Sequence, residues 1–251
     1  MKTLLVNGCS FTQDIGPPDR WCSVLAQKLN IPVVNLANGG AGNLYICRST
    51  INWIETVRPD PEDVLIVIMW SGTARIDVSV SEQWYKHIKS TFYYAKSDNI
   101  TNWIHTGSSG HVAVLENLCK TSDNLSLCID SLQNFILLGG YLKSKGYRYI
   151  FTSYANYWDK HHEYCPTTEV DPSIGYHCAR IPLYQNFDFS NWFFINDNKD
   201  CFGEYAIHDI RYQDDAHPAP ETHRKFLEDV MLPGIEQVHM QCYQRSITHG
   251  M

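Results

Sequence analysis

Short apolar runs alternate with longer amphipathic stretches along most of this chain, the way strands and their covering helices read in sequence. Thr3-Leu4-Leu5-Val6 is a β-prone apolar run closed by Asn7-Gly8. After Cys9-Ser10-Phe11-Thr12 and a Gly-Pro-Pro loop, the spacing from Trp21 to Leu29 predicts a helix over about 20–30. Ile31 to Leu36 reads as a short parallel-type strand. It ends in the most glycine-rich stretch of the protein, Ala37-Asn38-Gly39-Gly40-Ala41-Gly42-Asn43. A helix is expected from about Leu44 to Val57, stopped by Arg58-Pro59-Asp60-Pro61. Asp63 to Trp70 is the clearest buried strand, apolar without a break from Val64, as a central parallel strand should be.

Beyond Trp70 the pattern loosens. A loop and an aromatic helix are expected from Ser71 to about Lys96, and the polar, turn-rich Ser97 to His111 is expected to cap a face. A long helical pattern runs from about Val112 to Lys145, with a break near Thr121 to Asn124 and Gly146 as its C-cap. Tyr147 to Tyr154 is the next strand. From Ala155 to Gln213 aromatics, Asn and Asp replace the periodicity, which predicts an irregular insertion or lid at about 155–213. Asp214 to Leu232 reads as an acidic turn, His217-Pro218, and a helix from about Pro220. The order β-α-β-α-β-α-α-β-α predicts one α/β domain over 1–251. It is a three-layer α/β/α sandwich around a doubly wound parallel sheet of about five strands.

Composition narrows the class. A chain of 251 residues that is 44% hydrophobic can bury a full core. Twenty Lys and Arg against 27 Asp and Glu give a net charge of −7, with no basic run or stripe, so nucleic acid is not an expected partner. The apolar run at the N-terminus stops at Asn7 after four residues, short of a signal peptide, and Val64 to Trp70 is too short to span a membrane. Nine cysteines without a repeated spacing fit reduced thiols better than a disulfide framework, and a cytoplasmic location is expected.

In such a sheet, ligands bind beyond the carboxyl ends of the strands, so the loops there carry the candidate chemistry. The first offers Ser10, two residues after Gly8; the second offers N–H groups around Gly39, Gly40 and Gly42, with the Asn43 amide beside them; the last offers Asp214 and His217. A serine attacking an acyl carbon needs a base, the base needs a carboxylate to fix its tautomer, and the oxyanion needs preorganised donors. The ordinary alternatives are a turn serine capping the next helix, a surface histidine, and an acid at a helix N-terminus.

Gly8-Cys9-Ser10-Phe11-Thr12 resembles the first block of the SGNH/GDSL hydrolase superfamily, with Cys9 where aspartate is usual. Asn35-Leu36-Ala37-Asn38-Gly39-Gly40 resembles its second block, and Asp214-Asp215-Ala216-His217-Pro218 its final Asp-x-x-His block, with His223 beyond. The resemblance implies a flavodoxin-like SGNH fold and a serine esterase or acylhydrolase. Ser10 attacks, His217 shuttles the proton, Asp214 orients His217, and the oxyanion is held by Ser10 and Gly40, with Asn43 a further candidate. The third block departs from the family. Its usual Gly-x-Asn-Asp is here Gly72-Thr73-Ala74-Arg75, and alanine supplies no side-chain donor. Arg75, Thr73, Ser71 and Asn43 are the candidate replacements. Arg75, Trp70 and Thr73 are the expected substrate-binding residues, Arg75 favouring an anionic or sugar-rich substrate; for Trp70 a core position is the ordinary alternative.

The family analogy points to an acetyl or other short acyl ester on a carbohydrate or small molecule, with no cofactor. Alternatives are a non-catalytic binding or assembly protein of this fold, for instance on a bacteriophage particle, and an acyltransferase with the same triad. Rival sites are weaker. His161-His162-Glu163-Tyr164-Cys165 with His177-Cys178 holds zinc-type ligands in no zinc spacing, and His208-Asp209 lacks a nucleophile. Gly39 to Asn43 lacks the Gly-x-Gly-x-x-Gly register and a Walker lysine. The aromatics of the insertion, from Tyr154 to Phe194, suit either sugar stacking or a satellite core.

Overall fold

A computed structural model describes residues 1–13, 20–88, 95–97, 101–105, 122–154, 156, 158, 174–195, 201–203 and 218–236. In chain order the elements are β1 (Thr3–Asn7), α1 (Trp21–Leu29), β2 (Val33–Asn35), α2 (Asn43–Val57), β3 (Val64–Trp70) and β4 (Asp77–Val80). They continue with α3 (Glu82–Ile88), β5 (Ala95–Ser97), β6 (Asn102–His105), α4 (Asn124–Ser144), β7 (Arg148–Ser153), α5 (Ile174–His177), α6 (Pro182–Gln185) and α7 (Pro220–Phe226). α7 runs on through a π turn, Leu227–Met231.

The main sheet is parallel, in the order β2-β1-β3-β7, which is the flavodoxin-like winding. Alternate residues of each strand face opposite helical layers. Val64, Ile66, Ile68 and Trp70 point to the side covered by α2 and α4; Leu65, Val67 and Met69 point to the side covered by α1 and α7. All seven residues of β3 are buried, so its unbroken apolar run is the consequence of being covered twice. Four strands form the sheet among the described residues, against an expectation of about five. At the free edge of β7 a single parallel bridge, Phe151 to Trp192, stands where a fifth strand would pair.

Helix ends follow local chemistry. The Asp123 carboxylate accepts the Ser126 N–H to start α4, and the helix closes in a Schellman motif, with Gly146 at φ +78°, Gly146 N–H to Lys143 O and Tyr147 N–H to Leu142 O. By length and composition α4 could cross a membrane. Here its apolar face, Cys128, Leu132, Phe135, Leu138 and Leu142, is core.

One expectation needs correction. Residues 71–105 contain the expected loop and a short aromatic helix with Trp84 and Tyr85, but the described residues beyond Ser97 hold the strand β6 and not a polar cap. The segment forms a second, antiparallel sheet in the order β4-β6-β5, with the short α3 between β4 and β5. The described part of the predicted insertion packs onto the main sheet's α4 side. Trp158 and Trp192 are buried and pack edge-on at 5.0 Å, with Phe135, Phe187 and Phe189 around them. Of the two readings of these aromatics, this group takes the core one.

Candidate active site

β1 ends in a polar lock. Asn7 Nδ2 donates to Ile46 O, Ser49 Oγ and Thr50 Oγ1 of α2, while its Oδ1 accepts the Gly8 N–H. The chain then turns sharply, with the N–H groups of Thr12 and Gln13 both on Cys9 O. A Cβ on Gly8 would lie 2.5 Å from Thr12 Oγ1 and 2.8 Å from Met69 O, so only glycine fits between the turn and β3. Ser10 sits half-buried at the tip, while Cys9 is fully buried beneath it.

The glycine loop after β2 lies directly against this turn. Asn38 N–H donates to Gly8 O at 3.2 Å, Asn35 Nδ2 to Thr12 O at 2.9 Å, and Gln13 Nε2 to Asn38 Oδ1 at 3.4 Å. Gly40 adopts φ +72°, a left-handed conformation natural to glycine. Ser10 and Gly40 are thus carried on two loops that are hydrogen-bonded to each other.

The loop after β3 completes the described part of the site. Arg75 Nη1 donates to Ser71 Oγ at 3.1 Å, and its guanidinium lies 4.9 Å from the centre of the Tyr154 ring. That ring in turn stacks on Phe11, the neighbour of Ser10, at 4.9 Å and 17°. Tyr154 is anchored at the end of β7 by its N–H on Trp70 O and its carbonyl accepting Gly203 N–H. A cation, two aromatic rings and the serine turn therefore line up across the ends of β1, β3 and β7.

Three expected site residues are placed elsewhere. Asn43 is no free donor. Its Nδ2 donates to Ser71 O and Ser131 Oγ, both at 3.1 Å, its Oδ1 accepts the Ser71 N–H, and it is buried; it braces the β3 loop to α2 and α4. Trp70 is wholly buried, its ring 4.6 Å from Phe135 and 5.2 Å from Phe151, so it belongs to the core and not to a pocket wall. Thr73 is 1% exposed and closed to a ligand. Asp214 and His217 lie outside the described residues, as do His161, His162, Glu163, Tyr164, Cys165 and His208-Asp209. His217 directly precedes the buried Pro218. Five residues further on, His223 Nε2 lies 2.8 Å from Arg20 Nη1, tying the start of α7 to the start of α1; since arginine only donates, Nε2 accepts and the ring proton sits on Nδ1.

One feature escaped the sequence reading. The N-terminus of α2 has no side-chain cap of its own, because its N-cap is Gly42. Asp77 of β4 takes that role from a distance: Oδ1 accepts the Gly42 N–H and Oδ2 the Tyr45 N–H, both at 2.7 Å. These are the donors a bound phosphate would use, so the glycine loop is not built as a phosphate cradle. Asp77 also meets His105 Nδ1 at 2.7 Å. The available signal was only an aspartate and a histidine in two four-residue runs, Asp-Val-Ser-Val and Asn-Trp-Ile-His. No group of three or more metal-ligating side chains occurs among the described residues.

The fold is shared with a solved esterase structure. The structure is similar to that of the psychrotrophic esterase EstA from Pseudoalteromonas sp., inhibited by monoethylphosphonate, with a TM-score of 0.51 and 10% identity over 94% of this chain and 98% of that one. TesA aligns at a TM-score of 0.48 and 14% identity, covering 94% and 99% of the two chains. A lipolytic protein of the G-D-S-L family from Veillonella parvula aligns at 0.48 and 13%, covering 91% and 96%. By its sequence the chain belongs to a family of unknown function, DUF6071, whose model matches residues 13–166. No curated protein matches the sequence.

Proposed function

We propose that this protein is a serine esterase or acylhydrolase with Ser10 as nucleophile. The observation that carries the reading is the contact between the Ser10 turn and the Gly40 loop, made through the 3.2 Å bond from Asn38 N–H to Gly8 O. It sets a half-buried serine beside backbone donors at the carboxyl end of β1, where this winding places ligands. In the proposed reaction Ser10 Oγ attacks the acyl carbon as His217, oriented by Asp214, takes its proton. The N–H groups of Ser10 and Gly40 hold the oxyanion, and His217 returns the proton to the departing alcohol. Water, deprotonated by the same histidine, then releases the acid from the acyl-serine. The tie between Arg20 and His223 supports this assignment, because it holds the helix that follows His217 against the helix that follows Ser10. With Asn43 spent on Ser71 and Ser131, Arg75 is the residue of the third loop assigned to the developing negative charge, and an acetyl ester of a carbohydrate is the first substrate to try.

The test is hydrolysis of p-nitrophenyl acetate and butyrate, with Ser10→Ala and Arg75→Ala as variants and a fluorophosphonate as label. Wild-type turnover, its loss in Ser10→Ala, and labelling confined to Ser10 are expected. Arg75→Ala should lose about 10²–10³ in kcat, the size of one oxyanion donor. A wild type that neither turns over nor takes the label refutes the esterase reading. The outcome would then favour a binding or assembly protein, which suits a third loop built as a brace.

A further inference from the structure

Asp77 and His105 face each other across the β4–β6 ladder, directly opposite in register, and both side chains are wholly removed from solvent. The Asp77 carboxylate accepts three hydrogen bonds of 2.7 Å, from Gly42 N–H, Tyr45 N–H and His105 Nδ1–H, which fixes the tautomer of the histidine. His105 Nε2 is buried and has no partner among the described residues, so the ring is held through Nδ1 and by the edge of Tyr45, 4.8 Å away. The backbone at Gly42 is pressed against the same carboxylate: a Cβ there would lie 2.6 Å from Arg75 O and 2.8 Å from Asp77 Oδ2. One buried pair thus grips the end of the glycine loop, the first turn of α2 and the segment that carries Arg75. A buried charge is costly unless fully bonded, so three donors converging on Asp77 mark an arrangement the fold is built around.

We propose that Asp77 and His105 are a positioning couple for the active site. They fix the Gly39–Gly42 loop, and with it the Gly40 N–H, against the Ser10 turn. Neither residue touches substrate; His105 acts by orienting Asp77, and Asp77 by holding Gly42 and Tyr45. The inference rests on the reading of Gly40 as an oxyanion donor, and it gives the small antiparallel sheet a task in that reaction.

The experiment compares Asp77→Asn, His105→Leu and His105→Asn in the full chain by amide hydrogen exchange and by ester hydrolysis normalised to the wild-type folded fraction. His105→Asn keeps an N–H donor near the position of Nδ1, while His105→Leu removes it. Exchange of residues 39–45 is expected to speed by about tenfold or more in Asp77→Asn and His105→Leu, the weight of a hydrogen bond to a charged group, with β1 and β3 unchanged. kcat should fall about 10²-fold with KM held within about threefold, as for a donor displaced by an ångström. His105→Asn should recover most of both losses. Unchanged exchange at 39–45 in His105→Leu, a rise spread evenly over all strands, or His105→Asn no better than His105→Leu overturns the proposal. If Asp77→Asn does not fold, the two His105 variants decide. A wild type without esterase activity defeats the esterase reading by itself, and the exchange pattern still decides whether the pair holds the loop.

Discussion

β3 presents seven apolar side chains to its two helical layers, whereas the small sheet turns Asp77, Trp103 and His105 toward α2. In the first case stability comes from area removed from water and from close packing, neither of which depends on direction. In the second it comes from hydrogen bonds that exist at one distance and one angle. The apolar sheet can carry loops anywhere its surface allows. The polar contact fixes one loop in one place, as a site requires of its donors. The two regions therefore divide the work: the parallel sheet supplies the platform, and the small sheet sets the position of what stands on it.

The strongest way to break that division is to damage the platform. Phe135 is 1% exposed, in contact with Trp70, Trp158 and Trp192. Phe135→Ala leaves a cavity between α4, β3 and the 187–194 segment, and a loss of about 3–5 kcal/mol in global stability is expected by denaturant titration. The loss should raise exchange across β1, β3 and β7 together. A Phe135→Ala protein whose exchange rises only at 39–45 would erase the distinction between the apolar platform and the polar contact.

The same contrast explains what could be read from sequence. The strands of the main sheet, the four helices that cover it and the C-cap at Gly146 were legible because burial on one or both faces forces a period into the residues. The turn at Gly8 and the loop at Gly40 were legible through glycine, which marks backbone that other residues cannot follow. The small sheet was not. β4 and β6 are four residues each, and the positions that matter are polar, so no hydrophobic pattern announces them. Asn43 and Trp70 illustrate a second limit. Sequence placed both at the ends of elements near the site, but which way a side chain turns depends on Ser71, Ser131, Phe135 and Phe151, residues that are distant in the chain or on another element.

A smaller effect tests whether directional polar contacts outside the site also report on the platform. Hydrogen bonds from the Ser126 side chain and backbone hold the Asp123 carboxyl below the usual carboxylate range. A lowered folded-state value means that its contribution is complete above the ordinary aspartate pKa of about 3.9 and disappears as pH falls through the folded value. Asp123→Ala should therefore be less stable than wild type at pH 7, and the difference should close in titrations repeated below pH 3. A gap that stays constant to pH 2 would show that the charge at this helix start contributes nothing.

The smallest expected change sharpens the comparison from the side of the backbone. α4 carries Gly139 and Gly140 in its interior, where glycine costs up to about 1 kcal/mol relative to alanine. A Cβ at Gly140 meets nothing within 4 Å, while one at Gly139 comes within 3.4 Å of the Phe151 ring and 3.5 Å of the Tyr149 hydroxyl. Gly140→Ala should stabilise the protein by about 0.5–1 kcal/mol, since its only effect is to reduce the freedom of the unfolded chain. At Gly139 the same gain is set against contacts at the close limit of ordinary van der Waals packing, so Gly139→Ala should gain less. The pair isolates packing from propensity on one helix turn. If both variants gain equally, the contact between α4 and β7 is looser than a close-packed platform allows; if Gly140→Ala gains and Gly139→Ala loses, the platform side of the molecule is as exacting about volume as the small sheet is about direction.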